Sequence, residues 1–235
     1  MALPKLDTPR YELTVPSTNK KVVYRPYLVK EEKILMMAME SNDQNQMVRA
    51  LKDVIASCTD NIIEVDNLAM FDLEYIFMQL RSKSSGETTD IGVKCSSCET
   101  KNDINIDLSK VKVNMPKDAE KKIKLTDNVG VVMKYPSIND ILKIQNDDDT
   151  EVNKIFDIIA SAIDYIYSGE EIFDAKDQSS AELKDFIDSL NTEQFNKIRA
   201  FIENMPSAGT TVEFDCKSCG THNSIEVKGL ANFFS

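Results

Sequence analysis

Cys95-Ser-Ser-Cys-Glu-Thr-Lys-Asn-Asp-Ile104 returns later in the chain as Cys216-Lys-Ser-Cys-Gly-Thr-His-Asn-Ser-Ile225. Six of the ten positions are identical, at an offset of 121 residues. A Cys-x-x-Cys turn holds two thiolates close enough to chelate one tetrahedral zinc, and two such turns complete a four-cysteine site. The two turns are 117 residues apart, far more than in a compact zinc ribbon. A duplicated unit ending in half a site removes that difficulty, because the two copies complete each other.

A second match supports the duplication. Asp53-Val-Ile-Ala-Ser-Cys-Thr-Asp-Asn-Ile62 agrees with Asp157-Ile-Ile-Ala-Ser-Ala-Ile-Asp-Tyr-Ile166 at six of ten positions, and Val48 matches Val152 upstream. Here the offset is 104, so the second half carries an insertion of 17 residues before its cysteines. Ser179-Ser-Ala-Glu182 has capping-box spacing and opens the apolar series Leu183, Phe186, Ile187, Leu190, which predicts one extra short helix.

Both halves follow one plan, an α+β unit of β-hairpin, helices and closing knuckle. The first opens with strands over Tyr11–Val15 and Val22–Tyr24 around a turn at Ser17-Thr18-Asn19. The second opens with Ile123–Leu125 and Val131–Met133 around Asp127-Asn128. Helical faces follow: Met47, Leu51, Val54, Ile55 and Cys58 in the first half, and Val152, Ile155, Phe156, Ile159 and Ile163 in the second. Later helices carry Met70, Leu73, Phe77 and Leu80, and then Phe195, Ile198, Ile202 and Met205, with Pro206 as a stop. Short strands flank each cysteine pair: Thr89–Val93 with Ile104–Ile106, and Thr211–Phe214 with Ile225–Val227. The domain reading is a first repeat over 1–113, a polar connector over 114–122 containing Pro116, and a second repeat over 123–235.

The metal expectation is one structural Zn2+ per chain on Cys95, Cys98, Cys216 and Cys219. The alternatives are a thioredoxin-like redox motif, which needs a strand-to-helix junction that is not predicted here, or unmetallated thiols. His222 follows the second knuckle, but its counterpart is Lys101, which is no ligand, so it reads as a polar neighbour. Cys58 sits on an apolar helix face opposite Ala162 in the repeat and reads as a small core residue.

Composition limits the rest. The 235 residues are 42% apolar with no tryptophan, enough to bury a core. The net charge of −11 disfavours general nucleic-acid binding; it could steer the chain towards a basic protein partner, but a merely solvated surface is the preferred reading. Met1–Leu6 is interrupted by Pro4 and Lys5 and does not suit a signal peptide. The apolar run Ile34–Met39 is too short to span a bilayer, so no membrane partner is expected. A cytosolic, reducing setting follows, in which paired cysteines favour metal.

No Walker loop, dinucleotide fingerprint, H-E-x-x-H or G-x-S-x-G occurs. A zinc closed by four cysteines has no open coordination position. No catalytic residue, cofactor-binding residue or small-molecule substrate is expected. Asp147-Asp148-Asp149 reads as a loop leading into a helix. The basic stretch Lys110, Lys112, Lys117, Lys121, Lys122 and Lys124 reads as solvated linker.

Met1-Ala-Leu-Pro-Lys-Leu, the first strand pair and Tyr24-Arg-Pro-Tyr-Leu-Val-Lys-Glu-Glu-Lys-Ile-Leu35 resemble the start of a T4-like bacteriophage baseplate protein family. That family belongs to the central hub of a contractile tail, or to the factors that assemble it. The resemblance implies a non-enzymatic protein whose partners are other phage baseplate hub proteins. It implies a place in the cytoplasm of the infected bacterium and, for a structural subunit, in the virion. A permanent hub subunit and an assembly chaperone both fit. From another class, a zinc-ribbon nucleic-acid-binding or transcription-related module would need a basic, aromatic face, for which Lys94, Lys101, Lys217 and Phe214 are the nearest candidates.

Overall fold

The computed structural model describes residues 6–41, 43–115, 121–145 and 150–229. The start of the resemblance at 1–5, most of the connector (116–120) and the acidic run 147–149 lie outside these residues. In chain order the elements are β1 (Tyr11–Thr14), β2 (Lys21–Tyr24), α1 (Val29–Glu40), α2 (Gln44–Cys58), α3 (Met70–Ser84), β3 (Thr88–Lys94), β4 (Lys101–Asp107) and β5 (Lys112–Val113). They continue with β6 (Lys122–Lys124), β7 (Val129–Met133), α4 (Ile138–Gln145), α5 (Glu151–Ser161), β8 (Ile163–Ser168), β9 (Glu171–Asp174), α6 (Ser180–Asp188), α7 (Thr192–Glu203), β10 (Ala208–Asp215) and β11 (His222–Lys228). The fold is α+β, and each half runs from a hairpin through helices to a Cys-x-x-Cys knuckle.

Two compact units form, and they divide the chain differently from the sequence repeats. One comprises Met1–Asn114 with Ser207–Ser235, the other Met115–Pro206. The second ribbon thus folds with the first half.

In the first unit α3 buries Phe71, Leu73, Ile76, Phe77, Met78 and Leu80, so its apolar surface runs around the helix and not along one stripe. On one side α2 covers it with Leu51, Val54, Ile55 and Cys58, all fully buried. Elsewhere Met78 packs with Ile91 and Ile106 of the β3–β4 hairpin, Val212 of β10 and Val227 of β11. One helix therefore serves as the floor for both ribbons. Burial of these aliphatic groups stabilises the unit by roughly 1.5–3 kcal/mol per side chain.

Two buried carboxylates tie the rest to this frame. Asp72 of α3 accepts the Ser17 N–H at 2.9 Å and so anchors the β1–β2 turn. Glu31 of α1 receives the Arg25 guanidinium at 2.9 Å, the Ser57 hydroxyl at 2.9 Å and the Leu28 N–H at 2.8 Å. The ends of β2, α1 and α2 meet at that carboxylate. Burial alone would raise its pKa, but the three donors, Arg25 foremost, bring it down to about 2.

The second unit is a four-stranded antiparallel sheet, β6-β7-β8-β9, with α4 to α7. Its core joins Val131 and Met133 of β7 to Ile159 of α5, Leu183 and Ile187 of α6, and Ile198 and Phe201 of α7. The capping box at Ser179 and Glu182 is formed and opens α6.

Two expectations are corrected here. Ile163 was expected on a helix face with Ile159, but α5 stops at Ser161 and Ile163 begins β8. The run Ile163-Asp-Tyr-Ile-Tyr167 is rich in β-branched and aromatic residues, and pairing with β7 overrides the helical period. The matched segment in the first half instead leaves its helix through a turn with Asp60 and Asn61 at positive φ, which short polar side chains tolerate. β8 thus begins inside the matched segment, and β9 and α6 both lie between the two matches, where the extra residues fall. Met205, expected on α7, lies beyond its end at Glu203.

Candidate metal centre

Each knuckle is a strand, a tight turn and a returning strand, and the two match bond for bond. In the first, the Cys95 N–H donates to Thr100 O at 3.0 Å and the Glu99 N–H to Cys95 O at 3.0 Å. In the second, Cys216 N–H donates to Thr221 O at 3.0 Å and Gly220 N–H to Cys216 O at 2.9 Å. The turn requires a left-handed residue after the second cysteine. Glu99 adopts φ 57° there and Gly220 φ 71°, the latter without steric cost.

This folding brings together all four cysteines singled out by the sequence. Cys95 Sγ lies 3.7 Å from Cys219 Sγ and Cys98 Sγ 3.6 Å from Cys216 Sγ, and all four sulfurs lie within 4.8 Å of one another. A tetrahedron with Zn–S bonds of about 2.3 Å has S–S edges of about 3.8 Å, so the four atoms match the size of one zinc site. They are too far apart for disulfides, whose S–S bond is about 2.05 Å, and all are free thiols. Cys95 and Cys216 are buried, Cys98 and Cys219 exposed, so each knuckle contributes one inner and one outer sulfur.

Backbone donors favour the thiolate form. The N–H groups of Cys98 and Ser97 hold the Cys95 thiol below its ordinary value, and those of Cys219 and Ser218 bring Cys216 down to about 6.

A second layer locks the knuckles to each other. Asn102 Oδ1 accepts the Lys217 N–H at 2.9 Å, while its Nδ2 donates to Thr100 O at 2.8 Å and lies 3.7 Å from Cys216 Sγ. Asn223 reciprocates: Oδ1 accepts the Ser96 N–H at 2.9 Å, and Nδ2 donates to Thr221 O at 2.7 Å and lies 3.6 Å from Cys95 Sγ. Both asparagines are buried. Each reaches across to the other knuckle's turn and cysteine, so the two knuckles face each other through matching bonds. Thr100 and Thr221 lie beside the outer cysteines, with hydroxyls 3.3 and 3.2 Å from Cys98 and Cys219 Sγ.

Sequence reasoning did not assign these asparagines and threonines a role, although the signal was present. They are among the six identities shared by the two decapeptides, and a polar residue kept in both copies has to satisfy the same buried partners.

The other candidates separate cleanly. His222 is exposed and bonds Asp215 at 2.9 Å, outside the sulfur cluster. Cys58 is buried on α2, where desolvation raises its thiol to about 11. Phe214 is buried, so it offers no ring for a base to stack on, and Lys217 lies 3.8 Å from Asp103. No observation favours the nucleic-acid reading. Among the described residues, no helix is long and apolar enough to cross a membrane.

Over residues 8–235 the sequence matches the family described as T4 bacteriophage base plate protein. No curated protein and no solved structure matches the chain.

Proposed function

The chain belongs to the T4 bacteriophage base plate protein family, a structural and non-catalytic one, and from that premise we propose that it takes part in building the central hub of the contractile-tail baseplate. It does so by binding other baseplate proteins, as a hub subunit or as a chaperone that leaves. The observation that carries this reading is the family match across almost the whole chain, 8–235. The acidic charge and lack of a stacking face beside the knuckles support a protein partner over nucleic acid. The working place is the cytoplasm of the infected host, and the finished virion as well for a permanent subunit.

The same proposal assigns one structural Zn2+ to Cys95, Cys98, Cys216 and Cys219. The donor set fits: four sulfurs at tetrahedral spacing, two thiols lowered by backbone N–H groups, and asparagine amides beside two of the sulfurs. Bound there, zinc supplies four covalent-strength ties between segments far apart in sequence, and no reactive position. The repeats 1–113 and 123–235, joined by 114–122, are read as a duplication whose halves close on this metal. The reciprocal asparagines support that reading.

Deletion of the coding sequence from the phage tests the function. Heads and tail fibres should form without completed baseplates, and the protein should co-purify with a hub subunit from a wild-type infection. Fixed copy number in virions identifies a subunit, absence from them a chaperone. Normal baseplates in the deletion phage overturn both versions.

A further inference from the structure

The β8–β9 hairpin has no counterpart in the first half, where α2 reaches α3 through a short loop and one 3-10 turn. Its two-residue turn is Gly169-Glu170, with Gly169 at φ 61° as the first turn position of a hairpin requires. β8 is paired on both sides, but β9 is the last strand of its sheet. The Gly169 N–H bonds Asn128 O on the β7 side, so Ser168 faces β9 and pairs with Glu171. Alternation then turns the N–H and C=O groups of Ile172 and Asp174 outward, away from the sheet.

Such an edge is normally blunted by lysine, proline, a bulge or a covering loop. β9 has no lysine or proline, and it exposes two large apolar side chains, Ile172 at 64% and Phe173 at 41%. Its guards are the carboxylates Glu170, Glu171 and Asp174, the last of them 3.5 Å from the Lys176 ammonium.

Those carboxylates also select what can bind. Antiparallel pairing sets outward residues opposite outward residues, so a second β9 would place Ile172 opposite itself, with Glu170 opposite Asp174 twice, or Ile172 opposite Asp174 twice. The first register faces like charges directly and the second faces a carboxylate with an apolar side chain, and both destabilise a sheet pair. The basic β6 edge of a second copy is a poorer candidate, because that strand is only three residues long and its cations have partners of their own. Lys122 lies 4.8 Å above the Tyr167 ring and Lys124 bonds Asp127 at 3.0 Å.

We propose that β9 is a docking edge to which an extended segment of another protein, apolar in the middle and flanked by lysine or arginine, adds as a fifth strand. Main-chain bonds to Ile172 and Asp174 supply register, Ile172 and Phe173 supply apolar contact on the two faces, and the acidic flank supplies charge selection. That the partner is another baseplate protein rests on the role proposed above; the chemistry of the edge does not.

The test uses the full-length, 15N-labelled chain and two synthetic peptides with the same alternating valine–threonine core. One carries lysines at both ends, the other glutamates. The lysine peptide should shift the amide signals of Ile172 and Asp174, slow their hydrogen exchange, and bind at least tenfold more tightly than the glutamate peptide. Ile172→Pro, which removes an outward N–H at an edge that tolerates proline, should abolish this binding. Glu171→Lys with Asp174→Lys, both at the surface, should reverse the peptide preference. Equal binding of the two peptides, shifts confined to other elements, or no shift at millimolar peptide would overturn the proposal. So would self-association that Ile172→Pro abolishes, since that would give the edge to a second copy. In phage, normal baseplates with Ile172→Pro would remove the edge from assembly and leave the hub role standing; normal baseplates without the chain would remove the role itself.

Discussion

Replacing Asn102 probes the centre more sharply than replacing a cysteine, because it leaves all four sulfurs in place. In Asn102→Ala the Lys217 N–H and the Thr100 carbonyl lose partners that now stand at 2.9 and 2.8 Å. An orphaned buried group costs about 1–3 kcal/mol, and water reaches a knuckle more readily than a deep core, so the pair should cost about 2–4 kcal/mol. Loss of the amide near Cys216 should also weaken zinc binding about 10–100-fold. Asn102→Asp restores one of the two backbone bonds, since an aspartate has no N–H for the Thr100 carbonyl. Its carboxylate still accepts the Lys217 N–H, but it now stands 3.7 Å from a thiolate, a repulsion of about 4 kcal/mol at an effective dielectric of about 20. Zinc affinity should therefore rank wild type above Asn102→Ala above Asn102→Asp. Competition with a colorimetric chelator reads the affinity, and urea unfolding followed by circular dichroism reads the stability. Asn223→Ala should behave like Asn102→Ala, because it makes the same bonds from the other knuckle. Zinc retention at the wild-type level in Asn102→Asp, or clearly unequal effects of the two alanine variants, would refute the reasoning.

Elemental analysis of protein purified without chelator should give one zinc per chain, and Cys216→Ser should lower metal retention and Tm together; two zincs, or none with all thiols reactive, would contradict a shared site. Glu31 is held below its unfolded pKa, so its contribution is present above about pH 4.5 and is lost as pH falls towards 2. Its ceiling is about 3 kcal/mol. Glu31→Gln should flatten the acid limb of stability against pH and, as the neutral isostere of the protonated acid, cost up to about 3 kcal/mol at pH 7; an unchanged acid limb would exclude the assignment. A Cβ on Gly130 would come within 2.5 Å of the Ile123 carbonyl and into the Tyr167 ring, so Gly130→Ala should destabilise the second unit by about 1–3 kcal/mol, measured by amide exchange in that sheet. Full protection there would show that the strands relax at no cost.

The local plan was legible in the sequence wherever one element imposes its own period. The hairpin at Tyr11–Tyr24, the face Leu51, Val54, Ile55 and Cys58 on α2, and the capped start of α6 all follow from patterns within a dozen residues. The four cysteines were legible because a chelating turn needs only local spacing, and their union across 117 residues because the repeat supplied the second half. Asn102 and Asn223 were visible as shared letters, but their role was not, since their partners sit on the opposite knuckle. The tertiary structure alone decided what depends on distant pairing. Ile163 carries a helical spacing to Ile159, yet β7 offers it a strand partner, and a ladder of hydrogen bonds outweighs a weak local preference. The second ribbon lies 117 residues from the first and folds with it, because Val212 of β10 and Val227 of β11 are buried with Met78 of α3, a partner that no local pattern in 208–228 specifies. Periodicity within a segment says which face must be buried; which surface buries it is settled only when the whole chain competes for that face.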